Sequence, residues 1–441
     1  MLSLPRVGPT RRQLLRAIGV GALALPFIAS PSDRPPSGAG AATSVQFYSP
    51  RFDPSLVGTA LTRTVASYQQ AHPETRIIPV GEVVPTDATL TLTRLAAARQ
   101  LPDLVAYVDL PNLVQAGLIR AVPSDFRAAN GLPYSNDLSK PLQDAVTIGG
   151  GRFGLPFEIG TRSALVYDRA QLAAAGIDPS VAPRHWDEFV DVAQRTTHLP
   201  DRHGFALIAQ PGLLETYPRW YAWFVTAGGS QFDPARRQIA LGDGTAALDV
   251  LSLYANLSVG VKVTLPNSTE LDGAAAVEAL GTGRVAMIQE GSQGLAQLRS
   301  DHPDAAGRLG FAALPWKAED VAFLEPASIA AGSQSVKVDL AWDFARVFVS
   351  TDNLIQLFQT AGILPAATSA QAVARRIADP AQRFFLDRIA GPSVFVPSDP
   401  RNLAIVQRGG LMVHDVICGC VKPPVALRQA LHDLTQNRAL V

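Results

Sequence analysis

Four carboxylates stand where strands end or helices begin: Asp109 after the run Asp103–Tyr107, Glu158 after Leu155-Pro156, Glu290 after Val285–Ile288, and Glu325 in a proline-containing loop before Ile329. Hydroxyls sit close by in sequence: Thr161 near Glu158, Ser292 near Glu290 and Ser328 near Glu325. Open α/β sheets gather ligand groups at such places. A buried carboxylate is costly unless a particular hydroxyl or ammonium pairs with it, so the set suits a polyhydroxylated or cationic small molecule better than an acidic one. Arg401, in the segment SDPRN, adds a guanidinium fork that can hold hydroxyls bidentately. Trp220, Tyr221 and Trp223 cluster in TYPRWYAWF, and Trp316 directly follows Leu314-Pro315. A flat ring stacks on the apolar C–H face of a pyranose, so one or two of these aromatics are expected to face a cleft.

Catalytic signatures fail on their context. Gly281-x-Gly283-x-x-Ala286 spells a dinucleotide fingerprint, but that motif needs a strand before and a helix after, so that pyrophosphate meets a helix N-terminus. Here the helical stretch comes first. Gly291-Ser292-Gln293-Gly294 hints at a hydrolase elbow, yet Glu290 stands where G-x-S-x-G requires its first glycine. No H-E-x-x-H occurs among the seven histidines, and neither a cofactor nor a bound metal is expected. The enzymatic rival is a secreted glycosidase, which needs two carboxylates about 5–10 Å apart; Glu158 with Glu290 would be the pair. An adhesive surface protein is the third class.

The two cysteines, Cys418 and Cys420, flank a single glycine. In an exported chain the intramolecular disulfide open to them is with each other. His414 is near, but three soft ligands at one turn without a second cysteine pair form a weak metal pattern.

At 441 residues the chain can bury a large core and form two lobes, and its 47% hydrophobic and 17% charged residues fit a globular protein. No Lys/Arg cluster is large enough to hold a phosphate backbone, which argues against nucleic acid. The N-terminus departs from this balance. Arg6, Arg11, Arg12, Arg16 and Arg34 face only Asp33 within residues 1–41, and an apolar run, Ala17 to Ala29, is followed by Ala39-Gly40-Ala41. A basic start, a short apolar run and a small-residue site describe a signal peptide, the alternative being an N-terminal anchor helix that stays attached, although a 13-residue run seldom spans a bilayer. Thr10-Arg11-Arg12-Gln13-Leu14-Leu15 resembles the twin-arginine export motif. Removing 1–41 takes five arginines and one aspartate from 38 basic and 38 acidic residues, leaving a net charge of −4.

Beyond residue 42, short alternating runs such as Ser44–Tyr48 and Arg76–Val80 alternate with helical patterns such as Leu56–Ala71, which points to α/β layers around mainly parallel strands. Along this frame, Phe153-Gly154-Leu155-Pro156, Tyr167-Asp168, Ala175-Gly176 and Trp186-Asp187-Glu188-Phe189 occur in the order YGLP…L.YN…AGL…P.TWDEF. Gly228-Gly229, Ala275–Met287, Leu309–Pro315 and Gly362-Ile363-Leu364-Pro365 follow collinearly. The whole, roughly residues 44–430, resembles the extracellular solute-binding proteins of carbohydrate ABC importers, the nearest resemblance being to the mycobacterial receptor of amino-sugar uptake. Unlike many members, this chain has no cysteine just after the apolar run. The resemblance implies a two-lobe, type II periplasmic-binding fold with a hinge and an interlobe cleft. The lobes expected are 42–155 with 288–337 and 156–287 with 338–441, with crossings near 155, 287 and 337. It further implies a monomeric, exported receptor at the outer face of the cytoplasmic membrane. Its function would be non-catalytic capture of a carbohydrate, the expected ligand being an amino sugar or related small glycan, and delivery to the permease subunits. Glycerophosphodiesters or polyols, taken by a related importer class, are the alternative ligands. Trp186 and Trp342 fall where the family packs core, the 220–223 cluster where it often places ligand aromatics, and Arg401 where it places a cleft residue.

Overall fold

The computed structural model describes residues 43–436 apart from 82–87, 108, 128–130, 132–133, 213–214 and 234–237. The expected signal peptide, 1–41, lies outside the described residues. Ten strands carry the architecture: β1 (Thr43–Tyr48), β2 (Thr75–Val80), β3 (Leu104–Tyr107), β4 (Leu155–Thr161), β5 (Ala164–Asp168), β6 (His203–Ala206), β7 (Val285–Glu290), β8 (Leu309–Ala313), β9 (Ala322–Ala331) and β10 (Ser393–Phe395). The helices that matter for the site are α1 (Leu56–Ala71), α2 (Leu110–Gln115), α3 (Thr216–Thr226), α4 (Ala246–Ala255), α5 (Ser292–Asp301), α6 (Val338–Phe348), α7 (Thr351–Ala361), α8 (Asn402–Ile417) and α9 (Pro423–Gln436).

Two sheets divide the strands. The first runs β10-β9-β3-β1-β2, with β4 also paired to β9, and the second runs β8-β5-β7-β6. Within the first, β1 is parallel to β2 and β3, while β9 runs antiparallel to both β3 and β4. Within the second, β5 is antiparallel to β7 and β8, and β7 is parallel to β6. The sheets are thus mixed rather than mainly parallel. The reason is the short link Arg162-Ser163: β4 leaves the first sheet and β5 enters the second almost without a turn, so neither has a helical crossover to set it parallel to its neighbours.

Sheet membership changes between Thr161 and Ala164 and again between Ala313 and Ala322. The boundaries expected near 155, 287 and 337 do not coincide with these passages. Strand β8 lies beyond 288 but belongs to the second sheet, and α6 and α7 lie beyond 337 but pack their Phe344, Phe348, Leu354 and Leu357 into the core of β1 and α1. The α6 stripe is amphipathic with either lobe as its partner; only the neighbouring strands decide which side buries it.

Packing follows the pleat. Leu165 and Tyr167 of β5 point into one core with Phe189, Trp223 and Tyr254, whereas Ala164 and Val166 point into the other with Leu280 and Leu309. A sheet covered on both faces reads as a continuous apolar run, as Ala164–Tyr167 does. Helix α1 opens on Ser55, whose hydroxyl accepts from the Gly58 amide at 3.2 Å. Helix α8 turns into α9 through Cys418-Gly419-Cys420, where the two cysteines are bridged and Gly419 takes φ +72°, a left-handed conformation glycine adopts without Cβ strain. Among the described residues no helix is long and apolar enough to cross a membrane.

Candidate functional site

Charged side chains from both sheets converge where the chain passes between them. Arg51, in the turn after β1, donates to Glu158 of β4 at 2.5 Å and to the Gln293 side-chain oxygen at 3.0 Å. Gln293, in the first turn of α5, also donates to Glu158. Arg162, in the link itself, pairs with Glu325 of β9. Arg219, one turn into α3, donates to Glu290 at the end of β7 at 2.9 Å and to Glu215 at 3.2 Å, and one of its nitrogens also reaches the Gln289 carbonyl. Glu215 is further held by the Gly273 amide at 2.8 Å. Three of the four carboxylates named from sequence are therefore in one network, each closed by a guanidinium.

The network leaves its mark on ionisation. Burial pushes the Glu325 carboxyl above the ordinary glutamate value, and Glu158 and Glu215 push it the same way against the pull of Arg162 and Arg219. Glu215 goes the other way: burial alone would raise it, but Arg219, Arg162 and the Gly273 amide outweigh that and hold it low. Burial opposes the charge on Arg219, yet Glu290 and Glu215 hold the guanidinium proton more firmly than usual. Two opposite pH dependences follow. Because the folded value of Glu325 is raised, its favourable contribution is complete below the ordinary value of 4.5 and is lost as pH climbs through the raised value. Glu215 stabilises above 4.5 and loses that contribution as pH falls through its depressed value. Urea denaturation across pH is expected to show the parent losing stability relative to Glu325→Gln as pH rises above 4.5; parallel curves for the two proteins would refute the assignment.

Close backbone approach builds the corner that holds Glu290. A Cβ on Gly291 would sit 2.2 Å from the Thr161 carbonyl oxygen, and one on Gly294 would sit 2.2 Å from the Glu290 Cγ. The glycines flanking Ser292 therefore serve packing between β4, β7 and α5, and not a nucleophile. The Ser292 hydroxyl donates to the Gly362 carbonyl at 2.6 Å, which ties α5 to the end of α7.

Beside the network lies an open pocket of about 710 Å³, mouth included, lined from the first sheet by Tyr107, Asp109 and Glu325 and from the α3 and α8 side by Pro218, Asn402 and Val406. Asp109 stands at the residue before α2, and its carboxylate accepts from the Asn112 side chain at 2.7 Å. Ser328, opposite Tyr107 in the β3–β9 pairing, is 1% exposed, and its hydroxyl has no hydrogen-bond partner among the described residues. Thr161, buried, accepts from the Ser163 amide at 3.2 Å and supports the link. Arg401 lies one residue before the pocket-lining Asn402; its guanidinium pairs with Asp399 at 2.8 Å and covers the Phe232 ring at 4.8 Å.

The aromatics are placed otherwise than their sequence position suggests. Trp220 and Trp223 are 0% exposed and Tyr221 2%, all within the core of the second sheet. Trp220 stacks on Phe224 at 5.0 Å, Tyr221 meets Phe323 edge-on at 4.9 Å, and the Trp223 indole donates to Gln289 at 2.9 Å. These rings offer no free face for stacking. Helix α3 is buried all round, between β7 and β9 on one side and α8 on the other, so its aromatic run cannot be read as one stripe. Trp316 is half-buried against His185 at 5.1 Å and does not line the pocket. Trp342 is core, as read from sequence, and Trp186 packs half-buried on the core of the second sheet.

Sequence reading passed over Arg51, Arg162, Arg219, Glu215, Tyr107 and Asn402. For Arg219 a signal existed: a lone arginine inside the apolar run TYPRWYAWF is unaffordable in a core unless carboxylates meet it. The other arginines look like ordinary loop cations.

The chain has relatives of known structure. A family model described as bacterial extracellular solute-binding protein matches residues 63–384. A probable amino-acid ABC transporter periplasmic-binding protein of Sinorhizobium fredii is 28% identical over 112 residues, a stretch covering 25% of each chain. A solute-binding protein of Thermotoga lettingae bound with α-D-tagatose superposes with a TM-score of 0.80 at 19% identity, covering 89% of this chain and 99% of that one. Maltose-bound MalE3 of T. maritima gives 0.79 at 17% identity, with the same coverage. The GacH receptor of Streptomyces glaucescens, studied with acarbose, gives 0.77 at 18% identity over 90% and 98% of the two chains. These likenesses show the two-lobe periplasmic-binding fold. With a match running through both sheets and the lobe-crossing link, the chain belongs to the bacterial extracellular solute-binding protein family, a family of receptors and not of enzymes.

Proposed function

We propose that this protein is the substrate-binding component of an ABC importer, capturing a carbohydrate, and in particular an amino sugar or small cationic glycan, for delivery to membrane permease subunits. The observation that carries the reading is the pocket whose walls come from both sheets' sides and include Asp109 and Glu325. The structural relatives bound to tagatose, maltose and acarbose support carbohydrate as the ligand class. The expected leader over residues 1–41 supports export.

The preference for a cationic ligand follows from charge. Glu158, Glu215, Glu290 and Glu325 face Arg51, Arg162 and Arg219, and Asp109 adds a further acid at the pocket wall. Burial, reinforced by Glu158 and Glu215 of this surplus, keeps Glu325 reluctant to ionise. A ligand ammonium would oppose that shift and lower the Glu325 value, so that binding is coupled to proton release at a pH near the raised value. A neutral sugar would do neither. Binding free energy would then favour lobe closure, the arrangement a permease recognises.

Isothermal titration is expected to show glucosamine-type ligands bound more tightly than glucose-type ones by about 1.5–3 kcal/mol, the worth of a hydrogen bond to a charged group. When the titration is repeated as pH is lowered toward the raised Glu325 value, proton release should appear with only the former, and Glu325→Gln should narrow the gap while sparing neutral-sugar affinity. Equal affinities with no proton release would remove the amino-sugar reading. A thermal-shift screen of sugars, amino sugars and glycerophosphodiesters tests the ligand class, since ligand at 100 times its Kd adds about 2.7 kcal/mol of stability. Stabilisation by glycerophosphodiesters alone would overturn the carbohydrate assignment.

A further inference from the structure

The junction of α8 and α9 carries chemistry that sugar capture does not use. His414 and Cys418 stand four residues apart on one face of the last turns of α8, and Asp415 is adjacent. An imidazole nitrogen of His414, a carboxylate oxygen of Asp415 and the Cys418 sulfur lie within 4.8 Å of one another. Cys420 is bridged to Cys418, with Cα atoms 5.3 Å apart, so its sulfur is kept at the same turn by a single glycine whether or not the bridge is present. The N-terminal residues of α8 line the sugar pocket, which places this turn the length of a 16-residue helix away, roughly 24 Å.

The imidazole is already oriented. His414 Nδ1 lies 2.9 Å from the Ala209 carbonyl oxygen, which can only accept, so Nδ1 carries the proton and the neutral ring keeps its lone pair on Nε2. A carbonyl fixing one ring nitrogen is the usual support behind a metal-ligating histidine. Cys420 is exposed and Cys418 half-buried, so reductant and metal can both reach the sulfurs.

We propose that this turn is a redox-gated zinc site, with His414, Cys418 and Cys420 as ligands and Asp415 completing the set. In the oxidised chain both sulfurs are bonded to each other and neither is a thiolate. Reduction by a phosphine breaks the S–S bond: phosphorus takes the oxygen of one water to become a phosphine oxide, and the two protons of that water end on the two sulfurs. A small-molecule thiol performs the same reduction in two exchange steps, leaving as its own disulfide. Zinc then displaces one proton from each thiol and forms two Zn–S bonds, one Zn–N bond and one Zn–O bond to the Asp415 carboxylate, a four-ligand set that suits this ion in tetrahedral geometry.

The test uses the full mature chain, oxidised or reduced with a phosphine, titrated with Zn²⁺ against a chromophoric chelator and with Co²⁺ as a spectroscopic stand-in. One equivalent is expected to bind the reduced protein only, with a thiolate-to-cobalt charge-transfer band and release of two protons. Cys420→Ser, at an exposed position, and His414→Asn should each weaken binding by about tenfold or more and diminish or shift the band. Oxidised protein binding as tightly as reduced protein would overturn the proposal. So would Cys420→Ser retaining parental affinity and the parental cobalt spectrum, which would show that the pair of thiolates is not the ligand. Circular dichroism of each variant separates loss of the site from loss of the fold.

Discussion

Replacing Arg219 with methionine is expected to cost about 3–5 kcal/mol of stability, the scale for removing one partner of a buried ion pair. Arg219 is 5% exposed and meets Glu290 at 2.9 Å and Glu215 at 3.2 Å, besides capping the Gln289 carbonyl. Methionine keeps much of the volume, so the loss measures two carboxylates left facing each other without a counter-charge. Protonation offers those carboxylates an escape. The variant should therefore recover stability as pH falls, opposite to the dependence expected for Glu215 in the parent. Adding Glu215→Gln and Glu290→Gln to the methionine variant should return most of the loss, because amides need no counter-charge. Urea denaturation of the three proteins at neutral and acidic pH decides it. A single-variant loss under about 1 kcal/mol, the worth of an exposed pair, would mean that water reaches this network freely.

Trp223→Ala is expected to lose about 3–5 kcal/mol, the range for truncating a buried tryptophan. The ring is 0% exposed, lies 5.1 Å from Phe189 and 6.3 Å from both Phe205 and Tyr254, and its indole nitrogen satisfies Gln289. Trp220 differs in one respect. Its indole N–H is buried with no hydrogen-bond partner among the described residues, so Trp220→Phe removes an unsatisfied donor while keeping the stack on Phe224. That variant is expected to be less costly than Trp223→Phe, which would strand Gln289. Neither phenylalanine variant should change sugar affinity more than about twofold, since neither ring lines the pocket. A uniform loss of affinity for every sugar in Trp220→Phe, with stability intact, would instead make that ring a ligand platform exposed on opening of the lobes.

Much of the frame was legible beforehand. Strand and helix positions follow from local periodicity, and Leu56–Ala71 and Val285–Glu290 appear close to where their apolar patterns put them. The Cys418–Cys420 bridge needed no fold, because one glycine separates the two residues and no other cysteine competes. Of the carboxylates expected at strand ends or in a loop, Glu290 does close β7, whereas Glu158 and Glu325 stand inside β4 and β9, where the pairing of these two strands brings them into the same arginine-closed network.

Partners lay beyond that reach. Arg51 and Glu158 are 107 residues apart in sequence, Arg162 and Glu325 163 apart, and nothing local distinguishes a guanidinium bound for a buried carboxylate from one bound for water. The aromatic cluster fails for a related reason. Ring chemistry sets what Trp220, Tyr221 and Trp223 can do, but a ring stacks on a ligand only if no other side chain covers it, and Phe224, Phe323 and Phe189 cover these. The passages between sheets were misplaced because an amphipathic helix carries only the fact that one face is buried. Which sheet buries it is decided when Phe47 of β1 and Leu61, Val65 and Tyr68 of α1 meet α6 and α7. Residue chemistry and local period are properties of the chain; burial and pairing belong to surfaces that exist only once distant segments have met.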